Sequence, residues 1–324
     1  MKLPAFTSLT PSEPRYSTLD SLSRQKLFQL LPEISNKNNT EKMETSHSWP
    51  YGFYRSLTDN LFFKILPASS YPAEKFALEL EEYLYKQGMP GRKGRIYQKN
   101  LEGDSVCVII YPYITAKFFD SSENHIISLA QHLKGVHQAL SHFPQAKKVK
   151  LEWQHRLETF KTILRYPEQY QIPIAARQAI EKYRHLFEDL IQQPAQIVHG
   201  DLNFGNVLFV EGRAQIIDYE TACYSWLPVD FDLAMVIERF CLNTHSPELA
   251  KRLSLLFLRT YKSSPFNVAD RLICVSLRSL LVLSDYLHRD LSFPKQEWSK
   301  FIRLIHHSQT ARSWLTNEVE KNIW

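Results

Sequence analysis

Glycine is scarce in this chain, 9 of 324 residues, and the turn-forming segment Ser46 to Gly52 holds only one of them. A glycine-rich anion-cradling loop is therefore excluded from that segment. Cysteine is scarcer still: Cys107, Cys223, Cys241 and Cys274 show no C-x-x-C spacing, which excludes a zinc knuckle or a redox pair and suits reduced thiols in a cytosol. No stretch stays apolar for the roughly eighteen residues of a membrane span, so no membrane partner is expected. The start, Met1-Lys2-Leu3-Pro4, leads into Thr, Ser and Pro rather than an apolar signal core, which predicts a cytoplasmic protein. The net charge of +5 is modest and unclustered. It excludes a nucleic-acid footprint and leaves a mild preference for anionic ligands. No repeat period or low-complexity tract is present.

What is there is enough for a large core: 44% hydrophobic and 13% aromatic residues in a chain long enough for two lobes. A Pro- and Ser-rich leader over 1–17 precedes a helical stripe from Thr18, carried by Leu19, Leu22, Leu27, Leu30 and Leu31. Glu41 to Trp49, Phe53 to Leu57 and Leu61 to Leu66 then read as strands, followed by a helix from Pro72 to Gln87 and an apolar strand Val106 to Ile110. The remainder reads as helix at Ser128 to Leu140, Leu151 to Leu164, Ala175 to Ile191, Leu233 to Cys241, Glu248 to Tyr261, Ala269 to Leu287 and Trp298 to His307. His137 sits on the face of the first of these and reads as a structural residue.

The chemistry is concentrated between Val198 and Asp218. An apolar pair runs into a polar turn with His199, Asp201 and Asn206, then an apolar strand, a Glu211-Gly212 turn and a second apolar strand ending at Asp218. A turn between Asp201 and Asn206 can point a carboxylate at an incoming hydroxyl and an amide oxygen at a cation. Asp218 adds the hard anionic oxygen that Mg²⁺ prefers. Phosphoryl transfer needs this set: a positioner for the nucleophile and two oxygen ligands for the metal on the ATP phosphates. Lys64, meanwhile, interrupts an apolar strand. Either it points to solvent from the opposite face, or it is held for a ligand, since an unpaired buried ammonium is expensive.

The run His199-Gly200-Asp201-x-x-x-x-Asn206, followed by Ile217-Asp218 and by Asp232-Leu233-Ala234, resembles the signature of the aminoglycoside phosphotransferase and choline kinase family. The neighbourhood of Ala222-Cys223 is locally similar to the bacterial homoserine kinase branch. Asn203-Phe204 stands where the family commonly has His-Pro, a departure in positions that shape the loop. The resemblance implies an α+β, two-lobed protein-kinase-like fold, with a small antiparallel-sheet lobe over 1–111 and a mainly helical lobe over 112–324.

It also implies roles. Asp201 would be catalytic, Asn206 and Asp218 would hold Mg²⁺, and His199 and Asp232 would brace the loop. Lys64 would hold the ATP phosphates, backed by a carboxylate of the next helix, Glu74 in its first turn or Glu79 in reserve. Ser46, Ser48 and Gly52 would offer weak phosphate anchoring. Pro112 lacks an N–H, so adenine would meet the Pro112 carbonyl and the Ile114 N–H, unless Tyr111 and Tyr113 are ordinary hinge packing.

The expected function is ATP- and Mg²⁺-dependent phosphorylation of a hydroxyl on a small molecule of amino-alcohol, hydroxy-amino-acid or sugar type. The competing reading is a nucleotide-binding pseudokinase or structural module that keeps the fold without turnover. Protein kinase activity is weakened by the lack of an A-P-E-like segment after Asp218. Beyond Asp232 basic residues outnumber acidic ones, which disfavours a polycationic aminoglycoside and favours a neutral, zwitterionic or anionic acceptor.

Overall fold

The structure, a computed structural model, describes residues 15–31, 40–45, 49–244, 246–288 and 295–320. Its N-terminal part is a six-stranded antiparallel sheet with order β1-β2-β3-β4-β6-β5. The strands are β1 (Tyr16–Thr18), β2 (Thr40–Met43), β3 (Gly52–Ser56), β4 (Leu61–Pro67), β5 (Arg95–Leu101) and β6 (Asp104–Pro112). Alternation along β4 and β6 sorts the side chains into two faces. Phe63, Ile65, Val106, Val108 and Ile110 pack with Leu27 and Leu30 of helix α1 (Ser21–Leu30) and with Leu31, which caps its C-terminus. On the other face Cys107, Ile109 and Tyr111 pack with Phe62, Leu66 and Leu78, the last from helix α2 (Tyr71–Lys86). Lys64 pairs across the ladder with Phe53 and Ile109, which puts it on this second face, toward α2 rather than toward water.

Several expectations shift here. Tyr16 and Ser17, placed in the leader, belong to β1 and pair with β2. α1 starts later than the leucine stripe suggests, because Asp20 caps it by accepting the Ser23 N–H at 2.8 Å; Leu22 then falls on the solvent side. The strand expected from Glu41 to Trp49 ends at Met43. β5 is absent from the sequence reading: its Arg95-Ile-Tyr-Gln-Lys-Asn-Leu101 string lacks strict alternation, and its pairing with β6 comes from tertiary context.

The remainder is mainly helical: α3 (Glu123–Leu140), α4 (Ala146–Arg165), α5 (Ile174–Leu190), α6 (Val229–Val236), α7 (Pro247–Tyr261), α8 (Pro265–Ala269), α9 (Arg271–His288) and α10 (Lys295–Glu320). Ser122 and Ser246 cap α3 and α7 through their hydroxyls. The segment read as one helix from Leu233 to Cys241 is α6 running into a π-helical turn over Ile237–Cys241. α3, α5, α6, α7 and α9 share one core with Leu133, Phe187, Phe231, Phe257 and Leu277.

Two short strand pairs lie on this core. β7 (Gln196–Ile197) pairs with β10 (Trp226–Leu227), and β8 (Val207–Val210) pairs with β9 (Arg213–Ile216). The β8–β9 hairpin turns on Glu211 and Gly212, both at positive φ, the geometry of a two-residue type I′ connection. No described helix is long and apolar enough to cross a membrane.

Candidate active site

The loop from His199 to Asn206 is held from beneath by one carboxylate. Asp232, in the first turn of α6 and fully buried, accepts the His199 N–H at 2.8 Å and the Gly200 N–H at 2.9 Å. His137 Nε2 lies 3.1 Å from the same carboxylate, and its Nδ1 lies 2.8 Å from the Tyr261 hydroxyl. Burial alone would raise the Asp232 carboxyl, but the His137 bond and charge and the backbone amides hold it below its ordinary value. His137 is thus structural, as its sequence position suggests, yet it braces the site directly.

His199 is equally buried. Its Nε2 is 2.9 Å from the Ile217 carbonyl, which leaves Nδ1 to accept the Asp201 N–H at 3.2 Å. Both ring nitrogens are engaged by the backbone, which ties this side chain to the shape of the loop. Gly200 sits at φ +77, and a Cβ there would collide with the Ser225 hydroxyl; only glycine fits between His199 and Asp201.

Asp201 is partly exposed at the loop's outer edge. Asn206 donates from Nδ2 to the Asp201 carbonyl at 2.8 Å and approaches Asp201 Oδ2 at 3.4 Å, which leaves the oxygen end of its amide to serve as a ligand. Asn203, the departure from the family pattern, supports the same turn: its Nδ2 reaches the Asp201 carbonyl at 3.2 Å, and its Oδ1 accepts the Gly205 N–H at 2.8 Å. The Ile217 N–H donates to the Asn206 carbonyl at 2.9 Å, stitching this loop to the end of β9.

Asp218 follows at φ 64, a left-handed backbone that Asp tolerates better than most residues. Its Oδ1 receives Lys64 Nζ at 2.9 Å and the Arg92 guanidinium at 2.9 Å. Burial would lower the Lys64 ammonium, but the Asp218 and Glu74 carboxylates raise it above its ordinary value. Burial would raise Asp218, and Lys64 and Arg92 reverse that and hold it well below the usual carboxylate range. Glu74 is buried with Oε1 at 3.7 Å from Lys64 Nζ, and burial raises its pKa despite the lysine. Of the two glutamates offered for Lys64, Glu74 is the one beside it. Glu79 instead takes a hydrogen bond from Gln145 at 2.7 Å.

Three residues of this cluster escaped the sequence reading as site members. Arg92 lies on the Tyr111 ring at 3.8 Å and reaches Glu81 Oε1 at 3.4 Å. Glu220, two residues past Asp218, has its pKa pushed up to about 8, by burial first and then by Asp218 and Glu74. Glu220 Oε2 and Glu74 Oε2 are buried without a hydrogen-bond partner.

Of the remaining expected residues, Gly52, Pro112 and Ile114 lie on or just after strands of the sheet. Gly52 opens β3, buried, in register with Ile65. Ser46 and Ser48 lie outside the described residues. Pro112 is exposed at the end of β6 and Ile114 is half-buried just after it. Between them the Tyr113 N–H donates to the Asn60 carbonyl at 2.8 Å. Tyr111 is buried beneath Arg92 and belongs to packing.

The donor chemistry fits Mg²⁺. Among the described residues no group of three or more His, Cys, Asp or Glu forms a metal cage. Mg²⁺ does not require one, since it commonly takes one or two carboxylates and completes its shell with phosphate oxygens and water. Asn206, Asp218 and the unpartnered Glu220 oxygen would supply such a partial set, and a divalent cation there would offset the burial and the neighbouring carboxylates that raise Glu220.

A protein-kinase-like fold, with a lysine from the sheet, a glutamate from the following helix and a loop carrying Asp and Asn, defines the class. The chain belongs to the phosphotransferase enzyme family, whose model matches residues 51–262, and it is a kinase-type enzyme. No curated protein matches it. Solved structures share the fold at low identity. A spectinomycin phosphotransferase in complex with ADP and spectinomycin is 14% identical, with a TM-score of 0.56 over 94% of this chain and 100% of that one. A choline/ethanolamine kinase family protein from Mesorhizobium loti is 13% identical, with a TM-score of 0.56 over 90% and 99%. An ethanolamine kinase from Plasmodium vivax is 14% identical, with a TM-score of 0.55 over 89% and 88%.

Proposed function

We propose that the chain uses ATP and Mg²⁺ to phosphorylate a hydroxyl group on a small molecule. The observation that carries this reading is the meeting at Asp218 of a sheet lysine backed by Glu74 and of the loop bearing Asp201 and Asn206. When bound, MgATP supplies the γ-phosphoryl group, with the cation screening charge on its oxygens. Lys64 holds the phosphates once nucleotide competes for its ammonium. Asn206 and Asp218 would hold the metal, and the unpartnered Glu220 oxygen would join them.

Asp201 orients the acceptor hydroxyl and takes its proton as that oxygen bonds to phosphorus and the bond to the ADP oxygen breaks. Positioning matters more than basicity in a loose transition state, so Asp201 needs no raised pKa. Pro112 and Ile114 would supply the adenine contacts, Gly52 and Ser48 would offer weak anchoring to phosphate, and His199 and Asp232 would brace the loop. In this reading residues 1–111 form the nucleotide lobe and 112–324 the acceptor lobe, in a cytoplasmic protein with a small-molecule partner. The test is mass-spectrometric detection of phosphorylated product after incubation with MgATP and a panel of amino alcohols, hydroxy amino acids and sugars. Failure of the chain to bind ADP in the presence of Mg²⁺ would overturn the reading.

A further inference from the structure

Near the Asp201 loop lie two neighbouring cations, Arg278 and Arg156, that form no ion pair among the described residues. Arg278, on α9, is 8% exposed and donates from Nη1 to the Gly200 carbonyl at 2.9 Å, one residue from Asp201. Its Nε is buried without a partner, and the Phe231 ring lies 5.5 Å from the guanidinium. Arg156, on α4, is half-buried and stacks on the Tyr224 ring at 3.5 Å. Among the described residues neither arginine has an acidic group within ion-pair distance. The two are close enough to repel, and burial followed by this repulsion opposes the attraction of Tyr224, Asp201 and Asp232, so the Arg278 pKa is lowered. Asp232, the one fully buried carboxylate nearby, is already committed to His199, Gly200 and His137. Lys148 and Glu152, both exposed on α4, reach the adjoining Cys223 with opposite signs and offset one another.

A buried guanidinium left without a counter-ion costs stability, and a second cation beside it adds to that cost. Arginine is suited to take a carboxylate or phosphate through paired N–H donors. We infer that Arg278 and Arg156 form an oxyanion subsite for the acceptor, which is therefore a hydroxy compound bearing a carboxylate or a phosphate group. This rests on the phosphotransferase reading and narrows it: with its oxyanion on the arginines, the acceptor presents its hydroxyl to Asp201. Cationic amino alcohols are excluded as preferred acceptors by the same two charges.

The test reads binding without turnover, by calorimetric titration of the full chain with ADP and Mg²⁺ present. Matched pairs are used: glycerate against glyceramide, homoserine against its amide, glycerol phosphate against glycerol, with ethanolamine and choline as cationic controls. At least one anion is expected to bind roughly tenfold or more tightly than its neutral partner. Arg156→Gln should reduce that ratio to about threefold or less, and Arg156→Lys should restore part of it, both with wild-type circular dichroism. Preference for glycerol phosphate assigns the subsite to phosphate, and preference for glycerate or homoserine assigns it to carboxylate. The inference is overturned if no anion outbinds its neutral partner, if ethanolamine or choline binds as tightly as the anions, or if the ratio is unchanged in Arg156→Gln. Selective anion binding without phosphate transfer would leave the subsite standing and count against the phosphotransferase reading instead.

Discussion

Lys64 and Arg92 both point their charge at a single atom, Oδ1 of Asp218, each at 2.9 Å. Lys64 comes from β4 and Arg92 from the Gly91-Arg92-Lys93-Gly94 connection after α2, so one carboxylate ties the sheet, the connection and the end of the β8–β9 hairpin together. In the proposed mechanism that carboxylate would also be the metal's anionic donor, so cation binding would compete with both bases. Arg92 has a second carboxylate to fall back on, Glu81.

Removing this competitor should ease metal binding. Arg92→Gln alone would strand the buried Glu81, so the informative variant is Arg92→Gln with Glu81→Gln, which deletes the buried pair as a unit. Its expected effect is a drop of about threefold or more in the Mg²⁺ concentration needed for half-maximal ADP binding. An unchanged requirement by titration would mean that Arg92 does not guard Asp218.

Lys64 should matter to nucleotide and not to acceptor. Lys64→Met is expected to raise the KM for ATP roughly tenfold or more, the scale of a lost charge-assisted contact, while acceptor affinity stays within about twofold. Steady-state kinetics that show equal ATP dependence in wild type and variant would return Lys64 to a structural role.

The carboxylate beneath the loop should act through stability. Asp232→Ala leaves the His199 and Gly200 N–H groups and His137 without their acceptor in a dry core, and is expected to cost about 3 kcal/mol or more. Asp232→Asn keeps an acceptor oxygen and should cost less. Urea unfolding that shows both variants within about 0.5 kcal/mol of wild type would contradict the bracing role.

His132 sets an acid sensitivity. It is buried with Nε2 3.3 Å from the Ile216 N–H, and burial depresses its pKa from 6.5 to about 4. The folded protein therefore holds His132 neutral where the unfolded chain binds a proton. Stability from this residue is complete above pH 6.5 and falls as pH drops toward about 4, by on the order of 3 kcal/mol. His132→Gln should flatten that part of the pH–stability curve. Identical slopes over this window would refute it.

What could be read in the sequence follows the range of the interactions. Asp201, Asn206 and Asp218 were legible because a loop and a hairpin bring them together within eighteen residues. Lys64 was legible as a charge in an apolar strand, and Glu74 as the acid in the first turn of α2. Arg92 and Arg278 were not, because their partners lie far along the chain and no local periodicity marks them, and Glu81 sits in an acidic run that reads as surface charge. Gly94 held a clue to Arg92: a Cβ there would collide with Leu78 and Tyr111, so glycine lets the connection lie close to the sheet. β5 was missed for the same reason as Arg92, since β6 decides its state rather than its own pattern.

The most direct test of phosphoryl transfer through this site is the Asp201→Asn variant, assayed for product formation and for ADP binding with Mg²⁺ in parallel. Among the described residues the Asp201 carboxylate is hydrogen-bonded only within its own turn, so the variant should bind ADP within about twofold of wild type. Its rate of phosphorylated product should fall roughly a hundredfold or more, the usual scale for removing a group that acts in the transition state. Product formation at the wild-type rate by a properly folded Asp201→Asn protein would contradict the account.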